Sequence, residues 1–230
     1  MIKRLASLII VATLIVACGR PLTVSERNFA ATIVGGSVEL NRVRVAKIEV
    51  VDRFTSKRPK RPRIACRERI WPEPKSDTVT VGTAAFVLFN TVFVSRPLYR
   101  RDFTPAYPQA IDLADAMLFA HEMTHVWQWQ HRKQTGYTPW KAANEHTPGA
   151  DPYLLDLSAE PRFLDFPFEQ QGAIVEEYVC CNSLDPQGAR TKRLHAMLKG
   201  VFPVEMLDAR APRPDVVMPW KGATTRGICS

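Results

Sequence analysis

Phe119-Ala120-His121-Glu122-Met123-Thr124-His125-Val126-Trp127-Gln128 sets two histidines four residues apart with a glutamate beside the first. Two histidines four apart on a helix lie about one turn apart on one face. From that face two imidazole nitrogens can hold one zinc ion at about 2.0–2.1 Å. Glu122 points to a neighbouring face, where it can reach a water beside the ion without ligating it, so the spacing offers two ligands and a general base. The preceding residues, Ile111 to Ala120, are apolar almost all round, which predicts a helix buried on most sides. Two histidines and a glutamate on such a helix would be costly to bury without a partner such as a metal.

A catalytic zinc site takes three protein ligands and leaves a fourth position for water. The source of the third is Phe168-Glu169-Gln170-Gln171-Gly172-Ala173-Ile174-Val175-Glu176. Glu169 and Glu176 are seven apart and share a helical face, with small Ala173 on the stripe between them. Either carboxylate could complete the site, and the other could then orient a histidine by accepting its second ring proton. The remaining histidines are His131, His146 and His195. His131 points elsewhere on the same helix, and His146 falls in a loop. Tyr153, His146 and Tyr178 are candidate donors to an oxyanion.

The chain begins with Lys3-Arg4 and an apolar run from Leu5 to Ala17, too short to span a bilayer, ending in Ile15-Val16-Ala17-Cys18-Gly19. Residues 1–17 read as a lipoprotein signal peptide and Cys18 as the lipidated first residue of the mature chain. Gly19, not aspartate, follows, which fits an outer-membrane anchor facing the periplasm. Loss of Lys3 and Arg4 lowers the net charge from +8 to +6. Much of the excess lies in Lys57-Arg58-Pro59-Lys60-Arg61-Pro62-Arg63 and in Arg67 and Arg69. That run reads as a solvated loop, or as a contact for an anionic envelope surface. An exported protein has no call to bind nucleic acid. The remaining cysteines are Cys66, Cys180, Cys181 and Cys229, an even count that suits two disulfides in an oxidising compartment. Adjacent Cys180 and Cys181 would be strained if joined to each other, so each is expected to pair with one of Cys66 and Cys229.

Along the chain, Thr23-Val24-Ser25-Glu26 reads as a capping box opening a helix through Val34. Leu40 to Val51 suits a strand, 55–77 an irregular Pro-rich basic insertion, and Thr78 to Ser95 two strands, the second being Asn90–Ser95. The metal-site helix is expected over Gln109–Arg132, mostly loop over Gly136–Pro167, helices over Phe168–Cys181 and Ala189–Lys199, and an extended tail over 201–230. The fold class is α+β: a short antiparallel or mixed sheet packed on the histidine helix and a second, glutamate-bearing helix, within a domain of residues 18–200.

The chain resembles the zincin-like domains of the glutamate-zincin type found near Rhs and Vgr proteins. The resemblance rests on Leu22-Thr23-Val24-Ser25-Glu26, Arg42-Val43-Arg44-Val45, Asn90-Thr91-Val92-Phe93, His121 to Gln128 and Glu169-Gln170-Gln171-Gly172-Ala173-Ile174-Val175. It implies His121 and His125 as metal ligands, Glu122 as base and Glu169, rather than Glu176, as third ligand. Gly172 departs from the alanine usual there, and Ala46 stands where some related domains have histidine. The expectation is a lipid-anchored, Zn2+-dependent metallopeptidase acting on a peptide or protein, with the Asn90–Ser95 strand as the edge that receives an extended peptide. The rival from another class is a catalytically silent, zinc-stabilised envelope protein that binds a secretion partner; a third reading is a peptidoglycan amidase. Oligomeric state is not legible.

Overall fold

The computed structural model describes residues 19–49, 55–147, 151–154, 162–204 and 213–230. The expected signal segment and Cys18 lie outside the described residues, and no described helix is long and apolar enough to cross a membrane. The architecture is mixed α+β, with three small sheets and several helices.

Strand β1 (Arg20–Pro21) leads into helix α1 (Val24–Val34), followed by β2 (Arg44–Ile48). The Thr23–Glu26 capping box is present with both reciprocal bonds. Glu26 is fully buried, and its carboxylate also takes two 2.7 Å bonds from Arg20 and one of 3.0 Å from the Phe103 amide. One side chain thus starts α1, pins β1 and holds the loop before the metal-site helix.

The expected insertion is more ordered than its prolines suggested. Strand β3 (Thr55–Pro59) pairs antiparallel with β4 (Thr78–Gly82), and the short helix α2 (Cys66–Arg69) lies between them. Three strands, not two, occupy Thr78–Ser95: β4, β5 (Ala85–Leu88) and β6 (Thr91–Ser95). The main sheet runs β1-β2-β6-β5, with β2 parallel to β6 and β5 antiparallel to it. Every residue of β6 is buried. Asn90–Ser95 is therefore an interior strand and cannot be the receiving edge; among the described residues β5 is the outer strand on that side. The β5–β6 turn places Phe89 at φ 59°, a region unfavourable for a bulky residue. Its ring packs on Trp129 with centroids 4.7 Å apart, and neighbouring Asn90 accepts a bond from Gln130.

Residues expected to begin the metal-site helix instead form β7 (Ala110–Asp112), because they pair with β8 (Asp215–Val217), a partner 105 residues away. Helix α3 (Leu113–Gln130) then starts at Asp112, whose carboxylate accepts from the Asp115 amide. Short helices α4 (Arg132–Thr135) and α5 (Pro139–Asn144) follow. Helix α6 (Phe168–Leu184) extends three residues beyond expectation, and α7 (Ala189–Lys199) matches it. The core lies between α3, α6, α1 and the main sheet.

Disulfides join Cys66 to Cys180 and Cys181 to Cys229, the arrangement expected from the adjacency of the two helical cysteines. The end of the chain is thereby folded back, with Ile228 and Cys229 fully buried, instead of trailing as an extended tail. Glu177, also fully buried, accepts from the Cys66 and Arg67 amides and from Arg190, so the cross-linked region shares one polar anchor. Replacing Glu26 with alanine leaves Arg20 without its carboxylate and should lower stability by about 3 kcal/mol. Urea unfolding of the variant against the parent measures it; a change under about 0.5 kcal/mol would show that the anchor adds little.

Candidate metal centre

Helix α3 is capped by Asp112 and packed on nearly all sides, so His121 and His125 are presented from a rigid support. Helix α6 brings Glu169 to the same point from its first turn. Its start is held from a distance: the two Glu145 oxygens accept from the Phe168 and Glu169 amides, each at 2.9 Å. A carboxylate there satisfies orphan donors and faces the positive end of the helix dipole.

His121 Nε2 and His125 Nε2 are 3.0 Å apart. Each lies 3.4 Å from Glu169 Oε2. Four ligands held tetrahedrally at about 2.0–2.1 Å stand roughly 3.3 Å from one another, so the three donor atoms are spaced as the corners of such a site. His121, His125 and Glu169 therefore form a buried group able to hold a metal ion. Glu122 is buried beside them, and its Oε2 has no hydrogen-bond partner among the described residues. An orphaned buried carboxylate oxygen fits a place where water or a ligand is to be engaged.

Of the two glutamates, Glu169 is the one grouped with both histidines. Glu176 stands on the other side of the His121 ring, with Oε1 3.4 Å from Nδ1, and is bound by Arg67 at 2.9 Å. It attracts the ring from behind, at a distance long for a hydrogen bond. Arg67 is itself buried and donates to the Tyr153 carbonyl as well. The basic segment is thus not simply a solvated loop; one of its arginines supports the site.

Residues without an assigned role in the sequence complete the support. Gln128 Oε1 is 2.8 Å from His125 Nδ1, and its amide donates to the Phe168 carbonyl and to Gln171 Oε1. Gln171 in turn donates to the Phe166 carbonyl. Both glutamines are buried. This chain fixes the Nδ1–H tautomer of His125 and leaves Nε2 for the metal. Gly172 gives the His121 ring its space, for a Cβ there would lie 2.6 Å from Cε1. Tyr137 stacks on His125 with ring centroids 6.0 Å apart. The i, i+3 spacing of His125 and Gln128 was the available signal for the glutamine; Glu145 left none, since it acts across 24 residues.

Among the proposed oxyanion donors, His146 and Tyr153 stand at the site. His146 Nε2 is 3.3 Å from Glu169 Oε1, and the Tyr153 ring is 5.7 Å from that of His121. Tyr178 does not: it is buried in the core near His195. His131 bonds to the Trp127 carbonyl and His195 faces the Val204 carbonyl.

Burial raises the Glu122 carboxyl above the usual carboxylate value, against the pull of the two histidines. At Glu169 burial acts the same way, but His125 and the hydrogen bonds from both histidines outweigh it and hold the group well below 4.5. For Glu176 the attraction of His121 and Arg67 overcomes burial and brings it to about 2. Burial depresses both imidazoles, yet Glu176 for His121 and Glu169 for His125 raise them above 6.5. Tyr153 is kept protonated chiefly by burial and then by Glu169.

No family model matches the chain, and no curated protein matches it. Among solved structures it is similar to the effector domain of Pseudomonas aeruginosa VgrG2b, at 21% identity, covering 81% of this chain and 86% of that one, with a TM-score of 0.49. A likeness so distant transfers neither activity nor substrate.

Substituting Gln128 with near-isosteric methionine should weaken zinc binding about 10- to 100-fold, read by competition with a chromophoric chelator, because His125 loses its orienting acceptor. The metal-free protein should also carry a pH signature. Glu169, titrating below 4.5, lends stability that is present above that value and fades as pH falls through the folded pKa. The histidines, titrating above 6.5, lend stability that is whole below 6.5 and is lost as pH rises through their folded values. Melting of chelator-treated protein should therefore peak between these limits and decline above 6.5. Zinc-loaded protein should instead gain in that range, since the metal needs neutral imidazole. Parallel curves for the two forms would contradict the site.

Proposed function

We propose that the chain is a zinc-dependent hydrolase, a metallopeptidase held at the cell envelope through a lipid on Cys18. The observation that carries the reading is the triangle of His121, His125 and Glu169 donor atoms at 3.0–3.4 Å, with buried Glu122 beside it, its Oε2 without a partner among the described residues. Zinc is favoured by the donor set, two imidazoles and one carboxylate with a position left open. When bound, the ion supplies Lewis acidity for the scissile carbonyl and a water whose pKa falls toward about 7.

The chain's own residues account for the rest. Glu122 takes the proton from the attacking water and passes it to the leaving amine. Its raised pKa suits a group that must both accept and release a proton near neutrality. Tyr153 and His146, close to the histidines and Glu169, would serve as donors to the developing oxyanion. Gln128 and Glu176 hold the two imidazoles so that neither turns during the reaction. An extended peptide would lie on β5, whose outer edge is free among the described residues and which packs against α3.

Glu122→Gln should keep zinc and its melting temperature while cleavage of a quenched peptide library falls at least about 100-fold. Equal turnover by variant and parent would remove Glu122 from the mechanism. Zinc uptake with no turnover in the parent would favour the silent, zinc-stabilised envelope protein instead.

A further inference from the structure

Glu176, the neighbour of His121 Nδ1, borders a cavity of about 600 Å³. Its walls are the basic segment, the first turns of α3 and, at the end nearest the metal centre, Glu176. Met117 in its floor is one turn before His121 on the same face of α3. The cavity thus adjoins the metal centre through Met117 and Glu176, while the ligands themselves do not line it. Its volume falls within the range of about 300–1,000 Å³ that holds small molecules or a few side chains.

Its charges are arranged unequally. Each lining acid is engaged: Glu68 with Arg61 and Arg67, Asp115 with Arg100, Glu176 with Arg67, and Asp112 as the cap of α3. Two arginines are not matched in this way among the described residues. Arg63 donates to the main-chain carbonyls of Glu68, Trp71 and Arg69, which fixes its guanidinium without neutralising it. Arg58 reaches Asp151 only at 3.8 Å, while Arg61 already takes both oxygens of that carboxylate at 2.6 and 2.8 Å. Burial, and after it the neighbouring Arg61 charge, holds Arg58 below its ordinary pKa, and an incoming anion would relieve the second of these. Trp71, 45% exposed, offers an apolar face beside the two cations.

We propose that this cavity is a subsite for a side-chain carboxylate, so that the molecule handled at the metal centre is an acidic peptide. The assignment rests on the peptidase reading. A planar carboxylate matches the guanidinium fork, and its methylene stem would lie against Trp71. A dianionic phosphate suits the lining less well, because Glu68 and Glu176 stand in the same wall.

The test uses the full zinc-loaded chain carrying Glu122→Gln, so that peptides bind without being cut. The probes are an N-acetylated, C-amidated heptapeptide with two glutamates, its glutamine twin and inorganic phosphate, followed by calorimetry. The glutamate peptide should bind about tenfold more tightly than its twin, and adding Arg58→Gln or Arg63→Gln should remove most of that preference. Should Arg63→Gln fail to fold, half-buried Arg58, whose side chain makes fewer bonds, still decides. Equal binding of the twins, or an unchanged preference in folded arginine variants, overturns the subsite. Displacement of the glutamate peptide by phosphate at equal concentration overturns the carboxylate assignment. With Glu122 restored, equal cleavage of both twins discards the subsite and leaves the peptidase standing. Selective binding without cleavage of either keeps the acid-binding cavity and discards the peptidase.

Discussion

The close approach of α3 and α6 is the constraint on which the site depends. His121 and His125 are useful only if a third donor reaches them within about 3.4 Å, and that donor comes from a helix more than forty residues away. Such proximity requires a surface without side-chain bulk. Gly172 and the fully buried Ala173 supply it, and the His121 ring occupies the space where a Cβ at 172 would stand. Gln128, carried inward by the same contact, is satisfied across it by Gln171 and the Phe168 carbonyl, and the Glu176 charge stands 3.4 Å behind His121. Packing and metal-centre geometry are one arrangement, not two.

Around that contact the fold supplies electrostatic support in successive layers. Glu145 anchors the start of α6, Arg67 steadies Glu176, and the Cys66–Cys180 bond ties the residue before Arg67 to α6. The basic segment acquires a different meaning in this setting. Its lysines face solvent, while Arg61 and Arg67 turn inward to Asp151, Glu68 and Glu176. A run of like charges is tolerable there because acids from two distant parts of the chain are brought to meet it.

What the sequence made legible were features whose physics is local. His121, Glu122 and His125 follow from helical periodicity, the start of α1 from the Thr23–Glu26 reciprocal cap, and the separate pairing of Cys180 and Cys181 from the inability of neighbouring cysteines to join, which of them takes Cys66 being left open. The Glu169 choice drew on family resemblance, because periodicity alone places Glu176 equally well. Long-range pairing was not legible. Ala110–Asp112 looked helical until β8 paired with it, Asn90–Ser95 looked like an edge until β5 covered it, and residues 55–77 looked irregular although β3 meets β4 across them. The roles of Gln128 and Glu145 were hidden for a related reason: an amide or carboxylate shows its purpose only when its partner is known.

The two sulfur bridges leave helix α6 joined both to residue 66 and to the end of the chain. A single backbone cut anywhere between Cys66 and Cys180, or between Cys181 and Cys229, would therefore release no fragment. The histidines and Glu169 would stay on covalently connected pieces. Nicked in a loop, the molecule would still travel as one body, its fragments parting only after reduction.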